Sequence, residues 1–188
     1  MSKRFLRLLN CFVSAAIPVV LVCTFSGCDP DDPEPVNEEE VITTVQVTLI
    51  PEGGGTPVYL RFFDEDGEHG SGQPEITVSG SLKASTVYAG LIDLQNETVV
   101  PPIDISEEVA EEADEHLFCF DASGGITISY EDEDSNGLPL GLITSWQTGV
   151  AGDAQVTISL RHQAGTKTGA CPGGGDTDVE VTFNLLVE

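Results

Sequence analysis

The chain has 188 residues, with 32 Asp and Glu against 7 Lys and Arg, for a formal net charge of −25. Such an anionic surface excludes the phosphate backbone of nucleic acid as a partner and disfavours flat contact with anionic lipid. It favours cations, basic surfaces, or simply solubility.

Residues 1–7 carry Lys3, Arg4 and Arg7 and no acid, and residues 8–25 are apolar apart from Asn10, Ser14, Thr24 and Pro18. This is the charged and then apolar order of an export signal. As an uncleaved helix the segment barely reaches across ~30 Å of hydrocarbon, and Pro18 weakens it. The small pair Ser26-Gly27 before Cys28, with Phe25 where Leu is usual, resembles the lipobox of bacterial lipoproteins. The resemblance implies that residues 1–27 are a signal peptide that is removed. Cys28 is then the lipidation site, and its several acyl chains hold the protein to a membrane more firmly than one chain would.

Residues 28–40 are acidic and Pro-rich, too poor in apolar side chains to fold, and read as a disordered tether. Two further readings attach to it. Asp29 directly after the cysteine resembles the inner-membrane retention signal of enterobacterial lipoproteins. The run Asp29-Pro30-Asp31-Asp32-Pro33-Glu34 resembles the acidic tag that sends lipoproteins of other Gram-negative groups to the surface. The expectation is an outer-membrane, lipid-anchored protein at the cell surface, with the periplasmic face as the alternative. Cleavage removes three basic residues and no acid, leaving 161 residues with 4 basic and 32 acidic side chains, a net charge of −28. Residues 41–188 have the length of one domain with a self-sufficient core.

Within that domain the hydrophobic period is two. Val45, Val47 and Leu49 alternate with Gln46 and Thr48, and residues 57–63 repeat the pattern after a Gly-rich turn. Short strands are expected at 75–79 and 87–94. The run Leu82-Lys83-Ala84-Ser85-Thr86-Val87-Tyr88 resembles the approach to strand F of fibronectin type III domains. There a tyrosine hydroxyl bonds back to nearby backbone at a sheet corner; the other reading of Tyr88 is an ordinary core aromatic. Residues 104–115 are the one helical candidate, with Asp104 and Glu107 at capping positions and Ile105, Val109 and Ala113 on one stripe. A solvated acidic loop is the competing reading. Strands are expected at 116–120, 126–130, 142–148, 154–163 and 177–187. One wet and one dry face per strand indicates antiparallel pairing. The fold expected is all-β, an antiparallel immunoglobulin/fibronectin-like β-sandwich with at most one short helix.

The runs Glu40-Val41-Ile42-Thr43-Thr44-Val45, Asp114-Glu115-His116 and Asp176-Thr177-Asp178-Val179-Glu180-Val181-Thr182-Phe183 are similar to those of a family of short acidic Gram-negative outer-membrane lipoproteins. Some of its members carry a type 1 periplasmic-binding label, which implies ligand capture between two α/β lobes. The period-two pattern implies strands instead.

Several constellations carry candidate chemistry. Asp132-Glu133-Asp134-Ser135-Asn136-Gly137 matches the first half of an EF-hand loop, so Asp132, Asp134 and Asn136 are candidate calcium ligands. The twelfth position is Ile143 rather than Glu. Asp64 and Asp66 form a shorter echo, and acidic turn residues favoured for backbone reasons are the plain alternative for both loops. Calcium is the one cofactor suggested, and none is required. His69, His116 and His162 each lie near acids or at strand ends. Imidazole with carboxylate suits Zn²⁺, but no pair stands at ligand spacing, so packed or surface residues are the simpler reading. In an exported protein, Cys119 and Cys171 are expected to form a disulfide, against a buried free thiol at Cys119. No nucleophile elbow, phosphate loop or zincin helix is present, and no enzyme is expected.

The function expected is a non-catalytic binding module that captures a divalent cation or cationic ligand, with handover to an outer-membrane transporter. The alternative is a structural or adhesive surface lipoprotein with no small ligand.

Overall fold

The alternation of β-branched and aromatic residues with polar ones gives strands at nearly every expected place. The computed structural model describes residues 40–67 and 71–188; Cys28, residues 1–39 and His69 lie outside them. Among the described residues the strands are β1 (Thr44–Pro51), β2 (Val58–Phe63), β3 (Glu75–Val78), β4 (Val87–Asn96), β5 (Ile103–Asp104), β6 (His116–Ala122), β7 (Thr127–Tyr130), β8 (Ile143–Gln147), β9 (Gly152–His162) and β10 (Asp176–Val187). A single helix, α1 (Ile105–Glu111), lies between β5 and β6. None of the described helical segments is long and apolar enough to cross a membrane.

Two antiparallel sheets face one another. The larger has the order β3-β2-β1-β4-β8-β7, with β5 on β4, and the smaller the order β10-β9-β6. Val45, Val47, Leu49, Ile92 and Leu94 from the first meet Phe118, Val156, Ile158, Leu160 and Phe183 from the second in one core. The protein is therefore an all-β sandwich, not the α/β architecture that the periplasmic-binding label implies. Gly90 on β4 is needed for close approach: a Cβ there would stand 2.5 Å from Thr144 Oγ1 and 2.7 Å from Trp146 Nε1. Its absence lets the fully buried Trp146 lie flat on β4, its Nε1 donating to Thr144 Oγ1 at 2.9 Å. A buried indole N–H without such a partner would cost stability.

Tyr88 is buried, and its hydroxyl accepts the backbone N–H of Lys83 at 2.7 Å. That is the corner bond implied by the fibronectin resemblance. α1 is shorter than the 104–115 expected. Asp104 caps it by accepting from Ser106 N at 2.9 Å, and only Ile105 and Val109 are buried.

β6 departs from the expected one-wet-face pattern, because His116, Leu117, Phe118 and Cys119 are all buried. The cause is the connection between β9 and β10, residues 163–175, which folds over the outer face of β6. Gln163 N donates to Glu115 O at 2.6 Å, Lys167 Nζ donates to Ala113 O at 2.7 Å, and Cys171 is disulfide-bonded to Cys119.

Candidate metal centre

The end of the small sheet gathers donors from three adjacent strands. His116 on β6 stands directly opposite His162 on β9 in the antiparallel register. Both share the inward parity of Phe118 and Leu160, so their rings stack at the end of the core with centroids 4.6 Å apart. On β10 the register slips between Thr177 and Val179. Asp178 is the extra residue of that bulge, a device that re-aims a side chain. One donor atom from each of His116, His162 and Asp178 lies within 4.8 Å of the others.

A second group, Glu40, Glu112 and His116, meets the same limit and shares His116 with the first. His116 Nδ1 lies 3.1 Å from the backbone oxygen of Glu112, which can only accept. Nδ1 therefore carries a proton, and Nε2 is the position left to face a ligand. Metal-ligating histidines are usually oriented in this way, by a backbone carbonyl on the other nitrogen. Nε2 is 3.1 Å from Glu40 Oε1, with the His116 side chain fully buried and that of Glu40 8% exposed. The contact pairs charge but is not aligned as a hydrogen bond: His116 Nε2, Glu40 Oε2 and Asp178 Oδ2 are all buried without a hydrogen-bond partner. His162 Nε2 contacts Glu115 Oε2 at 3.2 Å.

The charges are strained in this arrangement. Burial, reinforced by the negative charge of Glu40, pushes the Asp178 carboxyl up to about 6 against the attraction of the two histidines. Burial alone would lower His116, but Glu40 outweighs it and holds the ring above its ordinary value. Carboxylates of Glu40 and Asp178 converging on the His116 ring form an anionic corner whose charge a divalent cation would balance. Two imidazoles and a carboxylate are donors that suit Zn²⁺.

The structure shows how the carboxylates of the calcium candidates Asp132 and Asp134, in the loop with Asn136, are engaged. Asp132 accepts from Gly141 N at 2.7 Å and Ile143 N at 2.9 Å with its two oxygens. Asp134 Oδ1 accepts from Asn136 N and Leu138 N, and Lys167 Nζ stands 3.0 Å from its Oδ2. Burial raises the Asp134 carboxyl, but these backbone donors and the ammonium prevail and hold it below its usual value. The ammonium thus sets a positive charge against Asp134 Oδ2, while Asp134 Oδ1 and both Asp132 oxygens are turned onto the loop's own backbone. The other side opens on a groove of about 580 Å³ lined by Tyr130, Glu131, Asp132, Glu133, Gly137 and Pro139.

Asp66 folds back to accept from Ser71 N and Gly72 N. Asp64 beside it is raised, by burial first and then by Asp66. Among the described residues, neither acidic loop joins a group of three close metal donors. Sequence reasoning missed Lys167 altogether, and it missed Asp178 and Glu40 as partners of the histidines. The one available signal for Lys167 was scarcity, since it is one of only 7 Lys and Arg set against 32 acids. Comparison with family models, with curated proteins and with solved structures gave no match.

Proposed function

We propose that this protein is a lipid-anchored envelope lipoprotein, held through Cys28, whose β-sandwich is a non-catalytic module for a divalent cation bound by His116, His162 and Asp178. The observation that carries the reading is the convergence of three strand donors, His116 buried and His162 and Asp178 half-buried, with the buried atoms His116 Nε2 and Asp178 Oδ2 left without hydrogen-bond partners. The signal-like residues 1–27 and the acidic stretch after Cys28 support an outer-membrane, surface-exposed location. A surface module that captures a cation fits delivery to an outer-membrane transporter. The strongly anionic domain would attract cations from solution at a distance.

The test is a melting curve with and without Zn²⁺. At 100 times its dissociation constant a ligand adds about 2.7 kcal/mol to stability. For a domain of this size that is a rise of about 5–10 °C. Millimolar Ca²⁺ should do no more than NaCl at matched ionic strength, because Lys167 stands against Asp134 Oδ2 and the Asp132 oxygens accept backbone N–H groups. A Zn²⁺ effect no larger than that of salt would overturn the reading.

One observation favours the adhesive alternative. Tyr59, Thr48, Leu91 and Ile143 form a cross-strand row on the outer face of the large sheet, and Tyr59, Leu91 and Ile143 are exposed. Apolar rows of this kind mark contact surfaces. Under that reading no metal shifts the melting curve.

A further inference from the structure

Resting on that cation reading, we infer that the ion is a borderline transition ion of the Zn²⁺ class and that Glu40 is its fourth donor. Hard Ca²⁺ takes six to eight oxygens, whereas this centre offers two imidazoles and a small number of carboxylates. Four-coordinate Zn²⁺ bonds at about 2.0–2.2 Å, so donors within 4.8 Å of one another have only a short distance to close.

Glu40 and Glu112 are the two carboxylates grouped with His116 in the second cluster, and they differ. The Glu112 residue is exposed, and its backbone oxygen already orients the His116 ring. The Glu40 carboxylate is more than nine-tenths buried, lies 3.1 Å from His116 Nε2, and has an unpartnered oxygen, Oε2. Glu40 groups with His116 and not with His162, so its side chain rotates across Nε2 to join the ion. It can do so because it precedes the first strand, which starts at Thr44, and is free of the sheet ladder.

The charge count agrees. Asp178 and Glu40 together balance a 2+ ion, and two neutral imidazoles complete four ligands with no net charge left buried.

Co²⁺ titration of the full chain, read by visible absorption, tests this. Four-coordinate Co²⁺ absorbs intensely and six-coordinate Co²⁺ weakly. The wild type should give the intense spectrum, with Zn²⁺ displacing it. Glu40→Gln should weaken Co²⁺ and Zn²⁺ binding by about tenfold or more and alter the spectrum, whereas Glu112→Gln should leave both unchanged. His162→Ala should abolish binding, with circular dichroism confirming that each variant is folded. If the wild type binds and Glu40→Gln retains its affinity and spectrum, Glu40 is not a ligand and the three-residue site stands without it. A weak six-coordinate spectrum would overturn the Zn²⁺-class assignment. If the wild type takes up neither ion, both the site and the inference fail.

Discussion

Reducing the disulfide between Cys119 and Cys171 lowers the melting temperature of the folded domain by roughly 8–16 °C. The two residues are 52 apart in sequence, and closing a loop of that length removes unfolded-state entropy equivalent to about 4 kcal/mol in the chain-entropy model. For a domain of this size each kcal/mol corresponds to about 2–4 °C. The loss has a native-state part as well, since the bond pins residues 163–175 over β6 and keeps Leu117 fully buried. Thermal melts with and without dithiothreitol, and of Cys171→Ser, measure it. Thiol titration of denatured, unreduced protein should find no free thiol at Cys119 or Cys171. An unchanged melting temperature on reduction would show that the loop is held by its other contacts alone.

Breaking the pair between Lys167 and Asp134 costs about 3 kcal/mol, the lower part of the range for removing one partner of a buried ion pair. The side chains are 2% and 0% exposed. Asp134→Asn leaves the Lys167 ammonium with the Ala113 carbonyl and no counter-charge. Lys167→Met leaves a shielded carboxylate with two backbone donors and should cost less than Asp134→Asn. The double variant should lose less than the sum of the two, because it removes both buried charges together. Chemical denaturation of the three variants measures the coupling, and strictly additive losses would contradict it.

The strands were legible because their signal is local. Val179, Val181, Phe183, Leu185 and Val187 announce β10 by alternation alone, and Val156, Ile158 and Leu160 do the same for β9. The two-residue β5 was missed, since two residues carry no period. β6 was read as a strand but not as buried on both sides, because the covering segment lies some 45–55 residues downstream. The two tethering residues, Cys171 and Lys167, give no local hint of where they dock.

The candidate metal centre was illegible for the same reason. His116 and His162 have no ligand spacing in sequence, and only the register of β6 with β9 sets them opposite each other. Asp178 reaches them through a bulge that no pattern of apolar residues encodes. Conversely, the Asp132–Gly137 loop carried a recognisable cation motif, but one Asp134 oxygen faces Lys167 and the Asp132 oxygens accept backbone N–H groups. Motif matching scores residue types at fixed spacing, whereas binding depends on which way the oxygens point.

Asp178→Asn tests the central claim most directly. The substitution keeps the shape of the side chain and removes a carboxylate whose charged form the folded protein disfavours. Because its folded value is raised to about 6, its contribution to stability is present below the ordinary carboxylate range and lost as pH rises through 6. The metal-free variant should therefore be at least as stable as the wild type at pH 7. Equilibrium dialysis against Zn²⁺ should then find a single ion on each wild-type chain and at least about tenfold weaker binding in the variant. Equal uptake by the two proteins, or none by the wild type, would contradict a metal centre at His116, His162 and Asp178.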